Sequence, residues 1–233
     1  MECVIFCGGF GTRMNNGIPG GLKPLTEVGG MEILRHIISI YENNGITDFI
    51  LLGGYRIKDL KAFSEKYSEI NIRVIDTGEG TPTGGRLLKV KDIVSTKDKF
   101  LLTYGDSLTN YNLSKCLALK TKLHADFTIS VYNKKLEYGV LKTDQENILE
   151  DILEKTHTVK INAGFYILDH RIFEYIVSEE ESFEIDVLPR LLNNKELRIG
   201  CYEVSFWHPM DTPEDQKKLN QILINDPEKI YKS

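Results

Sequence analysis

The segment ECVIFCGGFGTRMNNGIPGGLKPL, residues 2–25, joins a short apolar run to a long glycine-rich loop. The apolar run, residues 2–7, is rich in Ile, Val, Phe and Cys, which is typical of a strand buried on both faces of a sheet. The glycines that follow allow the backbone to approach a bound molecule closely and to aim its amides at it. A buried strand that leads into such a loop indicates an α/β fold with a ligand site at the sheet edge.

Further apolar runs and helical segments alternate along the first half of the chain. The runs are DFILL (48–52), INIRVI (70–75), KFLLTY (99–104) and DFTISVY (126–132). Apolar residues recur at helical spacing in the connections between these runs. Those between residues 7 and 48 are Ile33, Leu34, Ile37, Ile38 and Tyr41, and those between residues 52 and 70 are Leu60, Phe63 and Tyr67. This alternation predicts a three-layer α/β/α fold with a mostly parallel, Rossmann-like sheet.

The second half of the chain has a different pattern. Residues 137–155 contain strand-like pieces around a polar turn, and residues 161–169 form another apolar run. Helical stretches are predicted near residues 170–177 and 184–193, a strand near 197–204 and a last helix from about Thr212. We expect a smaller α+β lobe here, within one domain of residues 1–233 whose halves are about 1–135 and 136–233.

Composition and charge exclude several classes of protein. The 233 residues carry a net charge of -5, which argues against a general nucleic-acid binder because such proteins need clustered Lys and Arg. The four cysteines show neither a CxxC pair nor zinc-type spacing, so reduced thiols are expected. No apolar run is long enough to cross a membrane, and Met1 is not followed by a secretory signal. We therefore expect a cytoplasmic protein that binds neither nucleic acid nor membrane.

The glycine-rich loop matches neither of the two commonest phosphate-binding motifs. The dinucleotide fingerprint needs a third glycine where this chain has Met14, and a P-loop needs Ser or Thr where Pro24 follows Lys23. A plain surface turn would explain the glycines but not the two cations, Arg13 and Lys23. A fixed cation near the end of such a loop favours a phosphate clamp.

Five motifs in chain order resemble those of the sugar-phosphate nucleotidyltransferases. They are GGFGTRM (8–14) followed by KP (23–24), DTGEGTPTGGRLLKV (76–90), TYGDSL (103–108), INAGFYIL (161–168) and FWHPMDTPED (206–215). TGGRL combined with MDT resembles more narrowly the glucose-1-phosphate cytidylyltransferase-like enzymes. The resemblance covers nearly the whole chain, and it implies the nucleotidyltransferase form of the Rossmann-like sheet with an acceptor-binding second lobe.

The resemblance implies a reaction and a set of catalytic residues. A phosphate oxygen of the acceptor attacks the α-phosphorus of a nucleoside triphosphate, and pyrophosphate leaves. Arg13 would hold the β- and γ-phosphates, Lys23 would neutralise the α-phosphate, and Asp106 would complete the catalytic set. Asp106 and Asp211 resemble the family's Mg²⁺ ligands, which agrees with the preference of Mg²⁺ for hard oxygen donors.

The resemblance also implies two groups of binding residues. The nucleotide would contact backbone and side chains of the glycine-rich motifs, namely Gly8, Gly9, Gly11, Thr12, Arg13, Thr83, Gly85, Arg86, Tyr104 and Gly105. The acceptor would contact residues of the second half, namely Gly139, Glu154, Lys155, Asn162 and Gly164. Residues 15–22, NNGIPGGL, would form a lid that orders when nucleotide binds.

The identity of the two substrates has alternatives. TGGRL favours CTP, with Arg86 as a donor to the base, and UTP or dTTP with a sugar 1-phosphate is the alternative. The acceptor is either a hexose 1-phosphate or a non-sugar phosphate such as phosphoglutamine, and the product is expected to serve surface polysaccharide synthesis or modification. A non-catalytic nucleotide-binding regulatory protein is a further alternative, although Arg13, Lys23, Asp106 and Asp211 are all present. The resemblance allows a homo-oligomer.

Overall fold

The computed structural model describes residues 1–9, 20–94, 99–154 and 157–231. Its strands are β1 (Glu2–Phe6), β2 (Glu27–Val28), β3 (Met31–Glu32), β4 (Asp48–Gly53), β5 (Asn71–Asp76), β6 (Phe100–Tyr104), β7 (Ser107–Thr109), β8 (Phe127–Lys135), β9 (Val140–Thr143), β10 (Leu149–Leu153), β11 (Thr158–Leu168), β12 (Ile199–Val204) and β13 (Trp207–Pro209). Its α-helices are α1 (Ile33–Glu42), α2 (Ile57–Lys66), α3 (Thr83–Leu88), α4 (Leu113–Lys122), α5 (Leu188–Asn193), α6 (Pro213–Asn225) and α7 (Glu228–Tyr231). None of these helices is long and apolar enough to cross a membrane, and the longest, α6, has 13 residues.

One seven-stranded sheet runs through both halves of the chain. Its strand order is β12-β8-β11-β6-β1-β4-β5. Four of its six strand pairings are parallel, and β11 alone among these strands runs antiparallel to both of its neighbours, β6 and β8. The prediction of a mostly parallel sheet is therefore confirmed.

Helices cover both faces of this sheet. Along β1, Cys3 and Ile5 point into one core with residues of α1 and α4, whereas Val4 and Phe6 point into a second core with residues of α3 and α5. A strand whose alternate side chains are all buried must be covered on both sides. The three-layer α/β/α prediction is confirmed as well.

Several elements differ from the sequence prediction for local reasons. Residues 170–175 form a 3₁₀ helix, and the stretch predicted as one helix over 184–193 divides into a π-helical turn, Phe183–Val187, and α5. Pro189 lacks a backbone N–H, which removes one helical hydrogen bond at this junction. Helix α3 was not predicted because its sequence, TGGRLL, contains two adjacent glycines, which are poor helix formers.

A buried histidine ties the chain's last described helix to α1. His36 lies in α1 with only 3% of its surface exposed. With the proton on Nε2, its ring donates to the Val28 carbonyl oxygen at 2.8 Å, and Nδ1 accepts from the Tyr231 hydroxyl of α7. Burial, the largest cause, lowers the pKa of His36 from its ordinary value of 6.5.

Acid is expected to destabilise the fold through His36. In the unfolded chain this ring takes up a proton as the pH falls below its ordinary pKa, while the folded protein resists protonation because its pKa is lowered. The free energy of unfolding should therefore fall by about 1 kcal/mol more in the wild type than in His36→Gln between about pH 7.5 and pH 5.5. Urea unfolding at both pH values measures the difference. An equal fall of the unfolding free energy in the two proteins would contradict the prediction.

Candidate active site

The carboxyl end of β1 lies next to the TYGD motif. Gly105, directly after β6, donates its backbone N–H to the Phe6 carbonyl oxygen at 2.9 Å. Pro24 packs against Gly105 so closely that a Cβ there would lie 3.0 Å from Pro24 Cγ. Because Lys23 precedes Pro24, this contact places the lysine beside Asp106, the residue after Gly105.

Lys23 joins two aspartates in a cluster that we call the Lys23 cluster, made of Lys23, Asp106 and Asp211. The Lys23 Nζ donates to Asp106 Oδ2 at 2.7 Å and to Asp211 Oδ1 at 2.6 Å. The lysine stands 83 residues before the first aspartate and 188 before the second. Its side chain is only 12% exposed, whereas the carboxylates are 35% and 34% exposed. The fold thus brings three predicted site residues together at a partly open edge.

A small second sheet explains why the two aspartates are neighbours. Strand β7, directly after Asp106, pairs antiparallel with β13, and the Met210 N–H donates to the Asp106 carbonyl oxygen at 2.8 Å. The N-cap of α6 is Thr212, which forms a capping box with Asp215. Asp211 is therefore not the helix cap, and its carboxylate faces Lys23 instead.

The Lys23 cluster fits a magnesium ion that completes its shell with water and phosphate. Among the residues that the structure describes, no three His, Cys, Asp or Glu side chains form a group that could hold a metal. The two carboxylates already bracket a cation, the Lys23 ammonium. Mg²⁺ needs only one or two carboxylates when substrate phosphates supply further oxygens. The donor set fits such a shared site better than a closed structural metal site.

Arg86 is a buried residue that holds loops of the nucleotide-side half together. Its Nη1 donates to the Gly53 carbonyl oxygen at 2.7 Å and also to the Thr77 hydroxyl. A Cβ at Gly8 would lie 2.2 Å from the central carbon of the guanidinium, so a side chain there would force the buried guanidinium to move. Arg86 therefore packs against Gly8 and links it to Gly53 and Thr77, while its role as a donor to the base stays a prediction.

Arg86→Lys is expected to lower the free energy of unfolding by about 2 kcal/mol, because one ammonium cannot replace a buried planar fork. Urea unfolding measures the change. Arg56→Lys is the matched control, since Arg56 pairs with Asp59 at the surface and 46% of its side chain is exposed, and it should change the same free energy by less than about 0.5 kcal/mol. Equal stabilities for the Arg86 variant and the wild type would rule out the supporting role.

Helix α3, which carries the TGGRL motif, packs against the second half of the chain. A Cβ at Gly85 would lie 1.9 Å from the Glu179 carbonyl oxygen. The Thr83 hydroxyl donates to Glu184 Oε2 at 2.7 Å and accepts from the Phe183 N–H at 2.9 Å. Both residues were predicted to bind nucleotide, and the contacts that the structure gives them join the two halves.

A cleft of about 250 Å³ opens beside the Lys23 cluster. Its lining includes both aspartates of the cluster and two predicted acceptor residues, and it consists of Tyr104, Asp106, Ser107, Asn162, Ala163, Gly164, Glu184, Trp207, Pro209 and Asp211. Strand β11 shifts register between Asn162 and Tyr166, and Gly164 has a φ of +81° there. A Cβ at Gly164 would meet the Tyr104 ring at 2.6 Å, so this irregularity needs glycine.

Some of the remaining predicted residues lie away from the cleft, and others lie outside the described residues. Gly139 and Glu154 are neighbours, since a Cβ at Gly139 would lie 3.4 Å from Glu154 Oε1, but neither is among the residues that line the cleft. Gly9 follows Gly8 and lies three residues after Phe6, the end of β1. Several predictions lie outside the described residues, namely those for Gly11, Thr12, Arg13, Lys155 and most of the lid, residues 15–19.

Five residues of the cleft wall were not among the predicted site residues. Glu184 was predicted only as part of a helix, and the other four lie within longer motifs, namely Ser107, Ala163, Trp207 and Pro209. The pattern Ser182-Phe183-Glu184 carried one usable signal, because a serine before an acidic residue is a typical helix start. Ser182 is indeed the cap of the π-helical turn, accepting from the Ile185 N–H.

Known proteins of similar sequence cover the whole chain. A Bacillus subtilis (strain 168) protein described as a probable glucose-1-phosphate cytidylyltransferase is 32% identical over 100% of this chain and 99% of its own length. The glucose-1-phosphate cytidylyltransferase of Salmonella typhi is 29% identical over 95% of both chains.

A solved structure and a family model each match most of the chain. The crystal structure of HddC from Yersinia pseudotuberculosis complexed with GMP-PN superposes with a TM-score of 0.75, at 25% identity, over 94% of this chain and 98% of HddC. The family model for nucleotidyl transferases matches residues 2–222. The match spans β1, the Lys23 cluster, the cleft and most of α6. The chain therefore belongs to the nucleotidyl transferase family.

Proposed function

We propose that this chain is a cytidylyltransferase that transfers CMP from CTP to the phosphate of a hexose 1-phosphate, with release of pyrophosphate. The CDP-activated product would serve surface polysaccharide synthesis or modification in the cytoplasm. The full-length relatives support CTP and glucose 1-phosphate as the first substrates to test, because their names give glucose 1-phosphate and a cytidylyl group. The observation that carries the catalytic part is the Lys23 cluster beside the cleft.

The reaction needs charge neutralisation and alignment more than covalent participation by the protein. An oxygen of the acceptor phosphate forms a bond to the α-phosphorus of CTP, and the bond from that phosphorus to the bridging oxygen of pyrophosphate breaks. Lys23 is proposed to hold the α-phosphate, where negative charge must be stabilised during transfer. The cleft would hold the acceptor with its phosphate toward the Lys23 cluster.

Further groups are proposed to hold the triphosphate. Asp106 and Asp211 would bind Mg²⁺, which when bound supplies positive charge to the phosphate oxygens. Arg13 would hold the β- and γ-phosphates. The motif that contains Arg13 is the basis for this role, because Arg13 lies outside the described residues.

Pyrophosphate release with Mg²⁺ tests this function. The panel crosses CTP, UTP, dTTP and GTP with glucose 1-phosphate, other hexose 1-phosphates and phosphoglutamine. We expect CTP with a hexose 1-phosphate to give the highest kcat/KM. Equal rates with UTP or dTTP would refute the base assignment, and a preference for phosphoglutamine would refute the hexose. No turnover with any pair would refute the enzyme and favour the regulatory alternative.

A further inference from the structure

Glu184 is an acidic residue in the cleft wall that the predicted catalytic and binding sets leave out. It lies on the π-helical turn Phe183–Val187 and lines the cleft together with Tyr104 and Asn162. Its neighbours come from both halves of the chain, since Thr83 and Tyr104 belong to the first half and Ser182 to the second. The Glu184 carboxylate is therefore held in the cleft wall by residues of both halves of the chain.

Three hydroxyl groups hold the Glu184 carboxylate in place. Oε1 accepts from the Tyr104 hydroxyl, and Oε2 accepts from the hydroxyls of Thr83 and Ser182, each at 2.7 Å. An ionised carboxylate offers about four lone-pair sites, two on each oxygen. Oε2 is thus saturated, whereas Oε1 retains one acceptor position.

The charge of Glu184 has no cationic partner within the described part of the chain. The ion pairs found there include the two of the Lys23 cluster but none to Glu184. Burial is the largest cause that raises the pKa of Tyr104, and the negative charge of Glu184 adds to it. The hydroxyl of Tyr104 therefore stays protonated and donates to the carboxylate.

The two ends of the cleft consequently attract different chemical groups. At one end, Lys23 is paired with Asp106 and Asp211, and Mg²⁺ bound to the two carboxylates would give this end the net positive charge that favours a phosphate. A carboxylate without a cation repels phosphate and accepts hydrogen bonds from hydroxyl groups. An acceptor with a phosphate at one end and hydroxyls at the other fits this polarity.

We propose that Glu184 is a specificity-determining residue, whose free Oε1 position accepts a hydrogen bond from a hydroxyl of the acceptor and so orients its phosphate toward Lys23. This role rests on the proposed function, because it assumes an acceptor with both groups. The carboxylate selects hydroxylated acceptors and rejects those that would place a second anion at this end.

Glu184→Gln tests the role with glucose 1-phosphate as the probe. The amide keeps the size of the side chain and can still accept from Thr83 and Ser182. We expect KM for glucose 1-phosphate to rise about tenfold or more, while KM for CTP stays within about twofold. Glu214→Gln is the matched control, since Glu214 lies on α6 with 75% of its side chain exposed and does not line the cleft, and it should change both constants by less than about twofold.

Deoxy analogues distinguish contact with the acceptor from a purely structural effect. Glucose 1-phosphates that lack the 2-, 3-, 4- or 6-hydroxyl are compared in wild type and Glu184→Gln. One analogue should cost the wild type about tenfold in kcat/KM and cost the variant less than about twofold, because the same hydrogen bond is already lost. If every analogue loses the same factor in both proteins, Glu184 does not contact the acceptor. A variant whose KM for CTP rises as much as that for glucose 1-phosphate would likewise overturn the proposal.

Binding without turnover separates this proposal from the proposed function. Trp207 is the one tryptophan of the chain and lines the cleft, so its fluorescence reports occupancy. In the presence of CMP, glucose 1-phosphate should bind the wild type about tenfold more tightly than Glu184→Gln. If the variant binds more weakly but the wild type releases no pyrophosphate, the enzymatic function is refuted and the contact between Glu184 and the acceptor is supported. If both proteins bind equally and the wild type is active, only the role of Glu184 is refuted.

Discussion

Replacing Lys23 with alanine should lower kcat by about 10²–10³-fold, the usual cost of removing one preorganised group that stabilises transition-state charge. The ammonium contacts both Asp106 and Asp211 and is largely shielded from water, and the proposed function assigns it to the α-phosphate that is transferred. Initial rates of pyrophosphate release at saturating substrates measure the loss.

A matched lysine controls for the loss of a positive charge as such. Lys218, on α6, pairs with Glu214 at 3.4 Å, and its side chain is 55% exposed. Lys218→Ala should keep kcat within about twofold of wild type, because an exposed ion pair contributes little. Circular dichroism and the Tm show whether each variant is folded. A folded Lys23→Ala protein with more than about a tenth of the wild-type kcat would exclude the role given to Lys23.

Gly85→Ala should destabilise the fold by about 3 kcal/mol or more, which is the upper range for overpacking a filled site. The added Cβ would lie 1.9 Å from the carbonyl oxygen of Glu179, and a backbone atom cannot turn away as a side-chain tip can. The Gly85 N–H also donates to the Glu181 carbonyl oxygen at 3.2 Å, so the two segments are already in register. Urea unfolding measures the change, and a low yield of soluble protein agrees with it.

Gly139→Ala is the control for this substitution. A Cβ at Gly139 would make an ordinary contact, 3.4 Å from the flexible Glu154 carboxylate. Its free energy of unfolding should stay within about 1 kcal/mol of wild type. If Gly85→Ala is as stable as Gly139→Ala, the close packing of α3 against residues 179–183 is not present in solution.

The central strands could be predicted from the sequence because each is a short apolar run with clear ends. The direction of β11 could not, since the apolar run 161–168 is equally compatible with either orientation. The small pairs β2–β3 and β7–β13 are too short to carry a pattern of their own. Helix α3 forms against its glycines because packing on the second half outweighs their low helix propensity.

The contacts within the Lys23 cluster could be predicted only through motifs that the chain shares with a known family. Nothing in spacing or periodicity shows that Lys23 meets an aspartate 188 residues further on. By contrast, only the distances show that Arg86 and the glycines of TGGRL pack against neighbouring segments. A glycine that contacts a ligand and one that contacts another part of the chain look alike in sequence. Glu184 was missed for the same reason, since its partners Thr83 and Tyr104 lie about 100 and 80 residues away.

The most direct test of the central claim follows the α-phosphorus of CTP. The wild-type protein is incubated with Mg²⁺, glucose 1-phosphate and CTP labelled at the α-phosphate with ³²P, and products are separated by chromatography. We predict that the label appears in CDP-glucose, that the released pyrophosphate is unlabelled, and that Lys23→Ala forms little of either. Label that remains in CTP, or that leaves as CMP without joining the sugar, would contradict cytidylyl transfer by this site.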